Sequence, residues 1–339
     1  MNVTTIGIDL AKNSFSLHGV DGRGKLVFRK TLARAKLMPF LAQQPPCLIG
    51  MEACSGAHHW ARSLQALGHR IGIMPPRFVA PYRKGGKNDG NDAEAICEAV
   101  TRPGMRYVAV KSDEQQAILS LHRIRQGLIK ERTALINQLR GLLSEFGLIM
   151  PKGRYSAQHD IPGILEDAEN GLPMLARRLM HDTWLRLKVL NEQVLAYDRE
   201  LNHLVKDSEP AKQLMTVPGV GAITATALLA SVGDPKQFKN GRQFAAWLGL
   251  TPRQYTTGGK IRLGRITTKG DAYLRTLLIH GTRAVLTTIK NKDDKLSIWT
   301  KTLIERRGYK RAAVALAAKN ARILWALMVR NETYQMKSM

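Results

Sequence analysis

The sequence predicts a mixed α/β domain, then a long helical arm, then a mainly helical and strongly basic C-terminal region. Three observations support this fold class. Apolar strand patterns alternate with helical patterns over residues 1–110, and two long amphipathic helical patterns occupy residues 111–210. Residues 211–339 hold 23 Lys and Arg against 6 Asp and Glu, in a chain of formal net charge +25.

The N-terminal region begins with a predicted three-stranded meander. Its strands are residues 3–10, SFSLHGV at 14–20 and LVFRKTL at 26–32, and DGRGK between the last two is a hairpin signal. Further predicted elements follow in the order helix, strand, helix, strand, helix, at residues 33–43, 47–52, 57–67, 70–74 and 92–101. Strands alternating with helices after a meander indicate a mixed sheet covered by helices.

Two long amphipathic helices are predicted over residues 112–146 and 182–207. The first begins with Ser112, a good N-cap, and its apolar residues recur every three to four positions. Such a pair predicts an antiparallel arm or coiled coil that serves either for self-association or as a spacer. Self-association is favoured, because so long an apolar stripe needs a partner.

Two segments of the C-terminal region have features typical of phosphate binding. MTVPGVGAITATALLASVG at 215–233 resembles a helix-hairpin-helix, in which Gly219 and Gly221 precede helix amides that hold a phosphate; alternatively, these glycines make only a tight turn. Residues 251–270 are predicted to be a loop against a phosphodiester, with the cations Arg253, Lys260, Arg262, Arg265 and Lys269. Helices are predicted from Asp271 onward, where Arg275 is a further candidate contact, and over 309–330.

Composition narrows the function classes. The basic charge favours a nucleic-acid partner over a solvated face or an acidic membrane surface, because the cations are interleaved with Gly and Thr. Without an apolar run of about 18 residues or a signal-peptide pattern, we expect a cytoplasmic protein with no membrane partner. The three cysteines, Cys47, Cys54 and Cys97, predict reduced thiols, and His58 with His59 lacks the further ligands of a zinc site.

Four carboxylates stand out in this basic chain: Asp9, Glu52, Asp89 and Asp92. Asp9 closes the apolar run IGI, where a carboxylate needs a metal, a cation or water to offset its desolvation. If the four converge at one edge of the sheet, they suit Mg²⁺, a hard ion that prefers oxygen ligands. The alternatives are an N-cap for Asp92 and an exposed turn for Asp89.

The ordered motifs GIDLAK, GMEACSGAHHW, KNDGNDAEAICEA, VPGVG, FAAWLGLTPRQ and KGDAYLRTLLIHGTRA resemble the DEDD transposases of the bacterial insertion-sequence family 110, subgroup 1111. These are relatives of the Piv-type DNA invertases, and the resemblance covers nearly the whole chain. It implies an RNase H-like, RuvC-type domain at 1–110, a helical arm at 111–210 and a C-terminal transposase domain at 211–339. Its D, E, D and D positions fall on the four acids.

The resemblance also implies a chemistry. A serine of the C-terminal domain would attack DNA and form a covalent protein–DNA intermediate, working with Mg²⁺, or Mn²⁺, at the four acids. A noncoding guide RNA from the element would pair with target and donor DNA, and dimers joining into a tetramer would suit strand exchange. We expect such a protein to be associated with the nucleoid.

This chain departs from the family at the nucleophile. It has Thr256 and Thr257 before the Gly-Gly pair, and alignment to GGK places Thr257 at the serine position, with Thr256 as the alternative. Both threonines could instead only bind phosphate or cap a turn. Two competing functions are a RuvC-like junction resolvase or nuclease that uses metal-activated water, and a non-enzymatic architectural protein that binds RNA or DNA.

Overall fold

The computed structural model describes residues 2–86, 88–151 and 153–335, with the side chains of 154–157 left out. The chain divides into two compact units, Met1–Asp113 and Glu114–Met339. The division into three domains at residues 110 and 210 stays a prediction.

A five-stranded mixed sheet forms the centre of the first unit. Its strands are β1 (Thr5–Leu10), β2 (Ser14–Val20), β3 (Leu26–Ala33), β4 (Leu48–Glu52) and β5 (Arg70–Met74), in the order β3-β2-β1-β4-β5. The first three strands form the predicted antiparallel meander, and β4 and β5 extend the sheet in parallel to β1. The mixed α/β prediction is therefore confirmed for this unit.

Helices cover both faces of the sheet. They are α1 (Arg34–Ala42), α2 (Ala57–Ala66), α3 (Pro76–Val79), followed by a 3₁₀ turn (Ala80–Tyr82), and α4 (Asp89–Val100). On one face, Ile6 and Ile8 of β1 and Ile49 of β4 form a core with Trp60 and Leu64 of α2. On the other face lies α4, whose contacts decide where the carboxylates are.

A row of glycines brings α4 close to the sheet. Gly7, Gly50 and Gly72 are paired across β1, β4 and β5, and a Cβ added at any of them would collide with α4 or its C-terminal neighbours. At Gly7 that Cβ would lie 2.2 Å from the carbonyl oxygen of Ala93. Only glycine leaves room for helix backbone at this distance.

The second unit begins with the predicted pair of long helices, α5 (Asp113–Ser144) and α7 (Met174–Lys206). They run antiparallel, because Arg125 is paired with Asp198 at 2.5 Å while Glu131 is paired with Arg186. Two predictions were wrong here: α7 begins eight residues before the predicted start at 182, and residues predicted to be a connection form α6 (Arg154–Glu166). Gly153 and Pro162 concealed α6, although Pro162 lies inside that helix.

The remainder of the second unit is mainly helical. Its elements are α8 (Glu209–Met215), α9 (Ala222–Val232), α10 (Gly241–Trp247), β6 (Pro252–Thr257), β7 (Lys260–Ile266), α11 (Ala272–Thr288), α12 (Lys295–Arg307) and α13 (Tyr309–Arg330). Phe244 of α10, Leu274 of α11 and Leu324 of α13 are fully buried in one core. Residues 251–270 are not the predicted loop: most of them form an antiparallel ribbon of β6 and β7.

Within the described residues, only α13 is long and apolar enough to cross a bilayer. Its residues Leu316 and Ala317 are fully buried in the protein, as is Leu324. The apolar character of α13 is therefore explained by its place in the core of the second unit.

Candidate active site

The first two carboxylates lie at the ends of neighbouring parallel strands. Asp9 is the fifth residue of β1 and Glu52 is the last of β4, and the register pairs Ile8 with Met51 just before them. Side chains alternate along a strand, so Asp9 projects to the same face as Gly7, and Glu52 to the same face as Gly50. Both acids therefore project towards the face that α4 covers.

The other two carboxylates belong to the first turn of α4. Asn88 is the N-cap: its side-chain oxygen accepts a hydrogen bond from the amide of Asn91 at 2.8 Å. The alternative of Asp92 as the N-cap is therefore wrong. Asp89 and Asp92 are three residues apart, so they lie on one side of the helix.

All four carboxylates line one cavity of about 420 Å³ in the first unit. The remaining wall comes from α3, from the segment after it and from α4, through Pro76, Val79, Ala80, Arg83 and Ala95. Asp9, Glu52 and Asp92 are partly buried, and Asp89 is exposed at the rim. The predicted convergence at one sheet edge is thus observed as a shared cavity.

The four carboxylates do not form a preassembled set of metal ligands. Among the residues that the structure describes, no three His, Cys, Asp or Glu side chains are close enough to hold one ion together. A cation of the protein lies beside one of the acids: Nη1 of Arg83 lies 3.3 Å from Oδ1 of Asp92. The donor set still fits a hard divalent ion, because four carboxylates supply the oxygen ligands that Mg²⁺ and Mn²⁺ prefer.

The cysteines have the chemistry expected of reduced thiols. Burial raises the pKa of Cys47 to about 11 and that of Cys97 to about 12. The pKa of Cys54 is raised by desolvation and then by the negative charges of Asp9 and Glu52, so this thiol lies near the acids. His58 accepts a hydrogen bond at Nδ1 from the amide of Lys111 at 3.3 Å, a contact within the first unit.

The ribbon of β6 and β7 separates the two candidate nucleophiles. Residues directly opposite in an antiparallel pair project to the same face. Thr257 is opposite Lys260, and two residues back Tyr255 is opposite Arg262, which makes one face cationic. Thr256 lies on the other face, where its partner is Ile261.

Both faces of the ribbon are open to solvent. Every residue of β6 is exposed, as are the apolar side chains of Ile261 and Leu263. The Gly258-Gly259 turn has positive φ at both positions, as a type I′ hairpin turn requires. Arg253, Arg265 and Lys269 also belong to this segment, and Lys269 is exposed.

Arg275 has a structural contact at the base of the ribbon. Its Nη1 donates a hydrogen bond to the carbonyl of Leu248 at 3.0 Å, which ties α11 to the end of α10. Close backbone contacts hold the same region: a Cβ added at Gly270 would lie 1.9 Å from the carbonyl oxygen of Trp247.

The predicted short helix, PGVG turn and second helix are present, with α8 and α9 as the two helices. The turn packs against α11, since a Cβ at Gly219 would lie 2.6 Å from the carbonyl oxygen of Gly281. Asn320 fixes the turn further by donating a hydrogen bond to the carbonyl of Pro218 at 2.9 Å. Gly219 therefore has a packing role, whereas Gly221 is the exposed N-cap of α9.

Sequence reasoning missed two features of this site. The first is Arg83, whose position in the cavity depends on the path of the chain after α3 and has no local signal. The second is the row formed by Gly7, Gly50 and Gly72, which does have a local sequence signal. Gly7 and Gly50 each precede an acid by two residues, and this spacing puts the glycine and the acid on the same face of a strand.

A mixed α/β domain with four acids around one cavity, in a chain with a basic helical unit, is the combination expected of an enzyme that acts on nucleic acid. Comparison with known proteins identifies the family. Residues 6–147 match the transposase model for DEDD proteins of the IS110 type, and residues 211–296 match that of the transposase IS116/IS110/IS902 family. The chain belongs to this family of insertion-sequence transposases and is an enzyme that acts on DNA.

Full-length relatives agree with this assignment. The chain is 49% identical over 336 residues to a probable family 20 transposase of Pseudomonas aeruginosa, with 99% of each chain covered. It is 44% identical to the transposase for insertion sequence element IS1111A of Coxiella burnetii, over 98% of this chain and 92% of the relative. Similarity extends to the pilin gene-inverting protein of Moraxella bovis, at 26% identity over 65% of this chain and 60% of the relative. The predicted relation to subgroup 1111 and to Piv-type invertases is confirmed.

Proposed function

We propose that this transposase is Mg²⁺-dependent and RNA-guided, and that it excises and inserts its own element through a covalent hydroxyl–phosphate intermediate. The observation that carries the proposal is the cavity that Asp9, Glu52, Asp89 and Asp92 share. In a basic protein, four carboxylates at one cavity repel a phosphate unless a cation lies between them and the DNA.

The four acids would hold the ion, Mg²⁺ or Mn²⁺, and the domain would be RNase H-like, of the RuvC type. An antiparallel meander extended by two parallel strands supports that fold. When bound, the ion would stabilise the charge that develops on the attacking and leaving oxygens of a phosphoryl transfer. Asp9 and Glu52 are fixed by β1 and β4, so two of the ligands are held by the sheet itself.

Thr257 is our candidate nucleophile, because it lies on the cationic face of the ribbon with Lys260 opposite. Its Oγ1 would form a bond to phosphorus while the bond from phosphorus to one bridging sugar oxygen breaks. The threonine proton would pass to a base, and the leaving oxygen would take up a proton to become a hydroxyl. Thr256 is the weaker candidate, because its Oγ1 accepts a hydrogen bond from Gln254 at 2.9 Å on the opposite face.

DNA and an element-encoded noncoding guide RNA would be the nucleic-acid partners. The cations of the ribbon, Arg253, Lys260, Arg262, Arg265 and Lys269, would contact backbone phosphates, while base pairing with the RNA would supply sequence specificity. Gly221 at the start of α9 would offer backbone amides to a phosphate. The protein would act in the cytoplasm, in association with the nucleoid.

Self-association would use the arm, from dimer to tetramer. Leu175, Leu179, Leu185 and Val189 of α7 are all exposed, at 61%, 54%, 42% and 52%. Their spacing of three to four residues, or multiples of it, puts them along one side of the helix. A second copy of the chain is the partner that such a stripe suits, and strand exchange between two duplexes needs more than one active site.

Trapping on a nicked suicide substrate tests the covalent step. Wild type and Thr256→Val should form a protein–DNA adduct that maps to residue 257, whereas Thr257→Val should form none. Thr257→Ser is the matched control and should keep the adduct, because it retains the hydroxyl. Cleavage without any adduct would sink the covalent model and favour a RuvC-like nuclease or junction resolvase that uses metal-activated water.

Sequencing the RNA that copurifies with the full-length protein tests guidance. One discrete species that matches DNA beside the gene is the expected result. Random cellular RNA would remove the support for a guide. Binding of nucleic acid with no cleavage under any metal condition would favour an architectural protein.

A further inference from the structure

Among the described residues that line the cavity of the four acids, Arg83 is the cationic one. It follows the 3₁₀ turn Ala80–Tyr82, and its Nη1 lies 3.3 Å from Oδ1 of Asp92. The Asp92 side chain is 19% exposed and that of Arg83 is 34% exposed, so the pair is partly shielded from water. Arg83 lines the same cavity as all four acids.

The neighbouring cation has a different partner. Nζ of Lys84 lies 3.6 Å from Oε1 of Glu94, and the other oxygen of Glu94, Oε2, lies 2.6 Å from Nη2 of Arg29. Neither Lys84 nor Glu94 lines the cavity. Of these two adjacent cations after α3, Arg83 therefore lies beside a proposed metal ligand, and Lys84 lies beside Glu94.

We propose that Arg83 is a built-in counter-ion that holds Asp92 in the metal-free protein and is displaced by the divalent ion, after which its guanidinium binds the substrate phosphate. The inference rests on the proposed metal site. A guanidinium stays protonated at every working pH, and its planar donors match two oxygens of a phosphate as well as those of a carboxylate. The same side chain therefore suits both partners.

Two consequences follow for binding. Arg83 competes with the ion for Asp92. In the absence of DNA, the wild type should therefore bind the ion more weakly than a variant that lacks the guanidinium. A phosphodiester that takes up the released guanidinium should remove this competition. Metal and DNA should therefore strengthen each other's binding in the wild type, since coupling between two ligands is reciprocal.

The experiment measures Mn²⁺ affinity on the full-length protein, by water-proton relaxation or calorimetry, with and without a short DNA duplex. Arg83→Gln removes the competing cation. Lys84→Gln removes one charge from the adjacent position and controls for the general electrostatic field. Asp9→Asn reports whether the metal site exists at all.

Without DNA, Arg83→Gln should bind Mn²⁺ roughly three- to tenfold more tightly than wild type, the range for releasing one partly exposed ion pair. Lys84→Gln should differ from wild type by less than about twofold. The duplex should raise the affinity of wild type for Mn²⁺ and have a smaller effect on Arg83→Gln.

The results that would contradict the role of Arg83 differ from those that would contradict the metal site. Equal gains in Arg83→Gln and Lys84→Gln, or no gain in Arg83→Gln while Asp9→Asn loses Mn²⁺, would overturn the role of Arg83 and leave the metal site standing. Wild-type Mn²⁺ binding that Asp9→Asn does not weaken would overturn the proposed metal site, and this inference with it.

Discussion

Replacing Gly7 with alanine should separate the carboxylates by moving the helix that carries two of them. The new Cβ would lie 2.2 Å from the carbonyl oxygen of Ala93 and 2.4 Å from the amide nitrogen of Cys97. Both are backbone atoms of α4, so no side-chain rotation relieves the clash. The helix has to shift by about 1 Å, and overpacking of this kind costs roughly 3 kcal/mol of unfolding free energy.

Function should fall along with stability, because Asp89 and Asp92 move with α4. A misplacement of about 1 Å is expected to lower the rate of DNA cleavage on the order of 100-fold. Gly90→Ala is the matched control in the same helix: its Cβ would lie 3.5 Å from Oδ1 of Asn88, an ordinary contact. This control should be neutral or stabilising by about 0.5–1 kcal/mol.

Hydrogen exchange of the β1 and β4 amides measures the stability of the first unit without interference from the second. Gly7→Ala should lose protection in both strands, and Gly90→Ala should keep it. Wild-type protection together with wild-type cleavage in Gly7→Ala would refute the packing argument. It would show that α4 does not depend on the glycine row for its position.

Two further predictions concern the second unit. Desolvation lowers the pKa of His122 from 6.5 to about 4. Between these two pH values the unfolded chain binds more protons than the folded chain, so the free energy of unfolding should fall as the pH drops from 6.5 towards 4 and should not change above 6.5. Urea unfolding should show a loss of about 2 kcal/mol between pH 7 and pH 5 that His122→Gln lacks and the exposed His203→Gln keeps. Arg262→Gln should lower the slope of log affinity for DNA against log salt concentration by about 1, whereas Arg330→Gln at the end of α13 should leave this slope unchanged. Equal slopes in the wild type and both variants would exclude a phosphate contact by Arg262.

Much of the first unit could be predicted from the sequence, because its signals are local. Alternating apolar residues and the DGRGK turn predict the meander, and the structure has those strands within two residues of the predicted bounds. The convergence of the acids was also predictable, since Asp9 and Glu52 end apolar runs that become parallel neighbours. Their common face was encoded in the Gly-x-acid spacing, which sequence reasoning did not use.

The second unit, and the Arg83–Asp92 ion pair of the first unit, were harder to predict for physical reasons. The ribbon is exposed on both faces, so β6 lacks the apolar alternation that marks a half-buried strand, and β7 has it only over Ile261 and Leu263. The ion pair of Arg83 with Asp92 depends on how the chain after α3 returns to α4, a tertiary arrangement with no local pattern. The turn sequence left phosphate binding and a tight turn open for Gly219, because the close contact of Gly219 with Gly281 depends on α11, about 60 residues away.

The most direct test of the central claim is metal-dependent DNA cleavage by variants of the cavity acids. Asp9→Asn and Asp92→Asn should each lose at least about 100-fold in cleavage with Mg²⁺ while keeping DNA binding in a mobility-shift assay. Glu94→Gln is the matched control, because Glu94 belongs to α4 but pairs with Arg29 and Lys84 outside the cavity. It should cleave as wild type does. Cleavage retained by Asp9→Asn and Asp92→Asn, or lost equally in Glu94→Gln, would contradict a metal site at the four carboxylates.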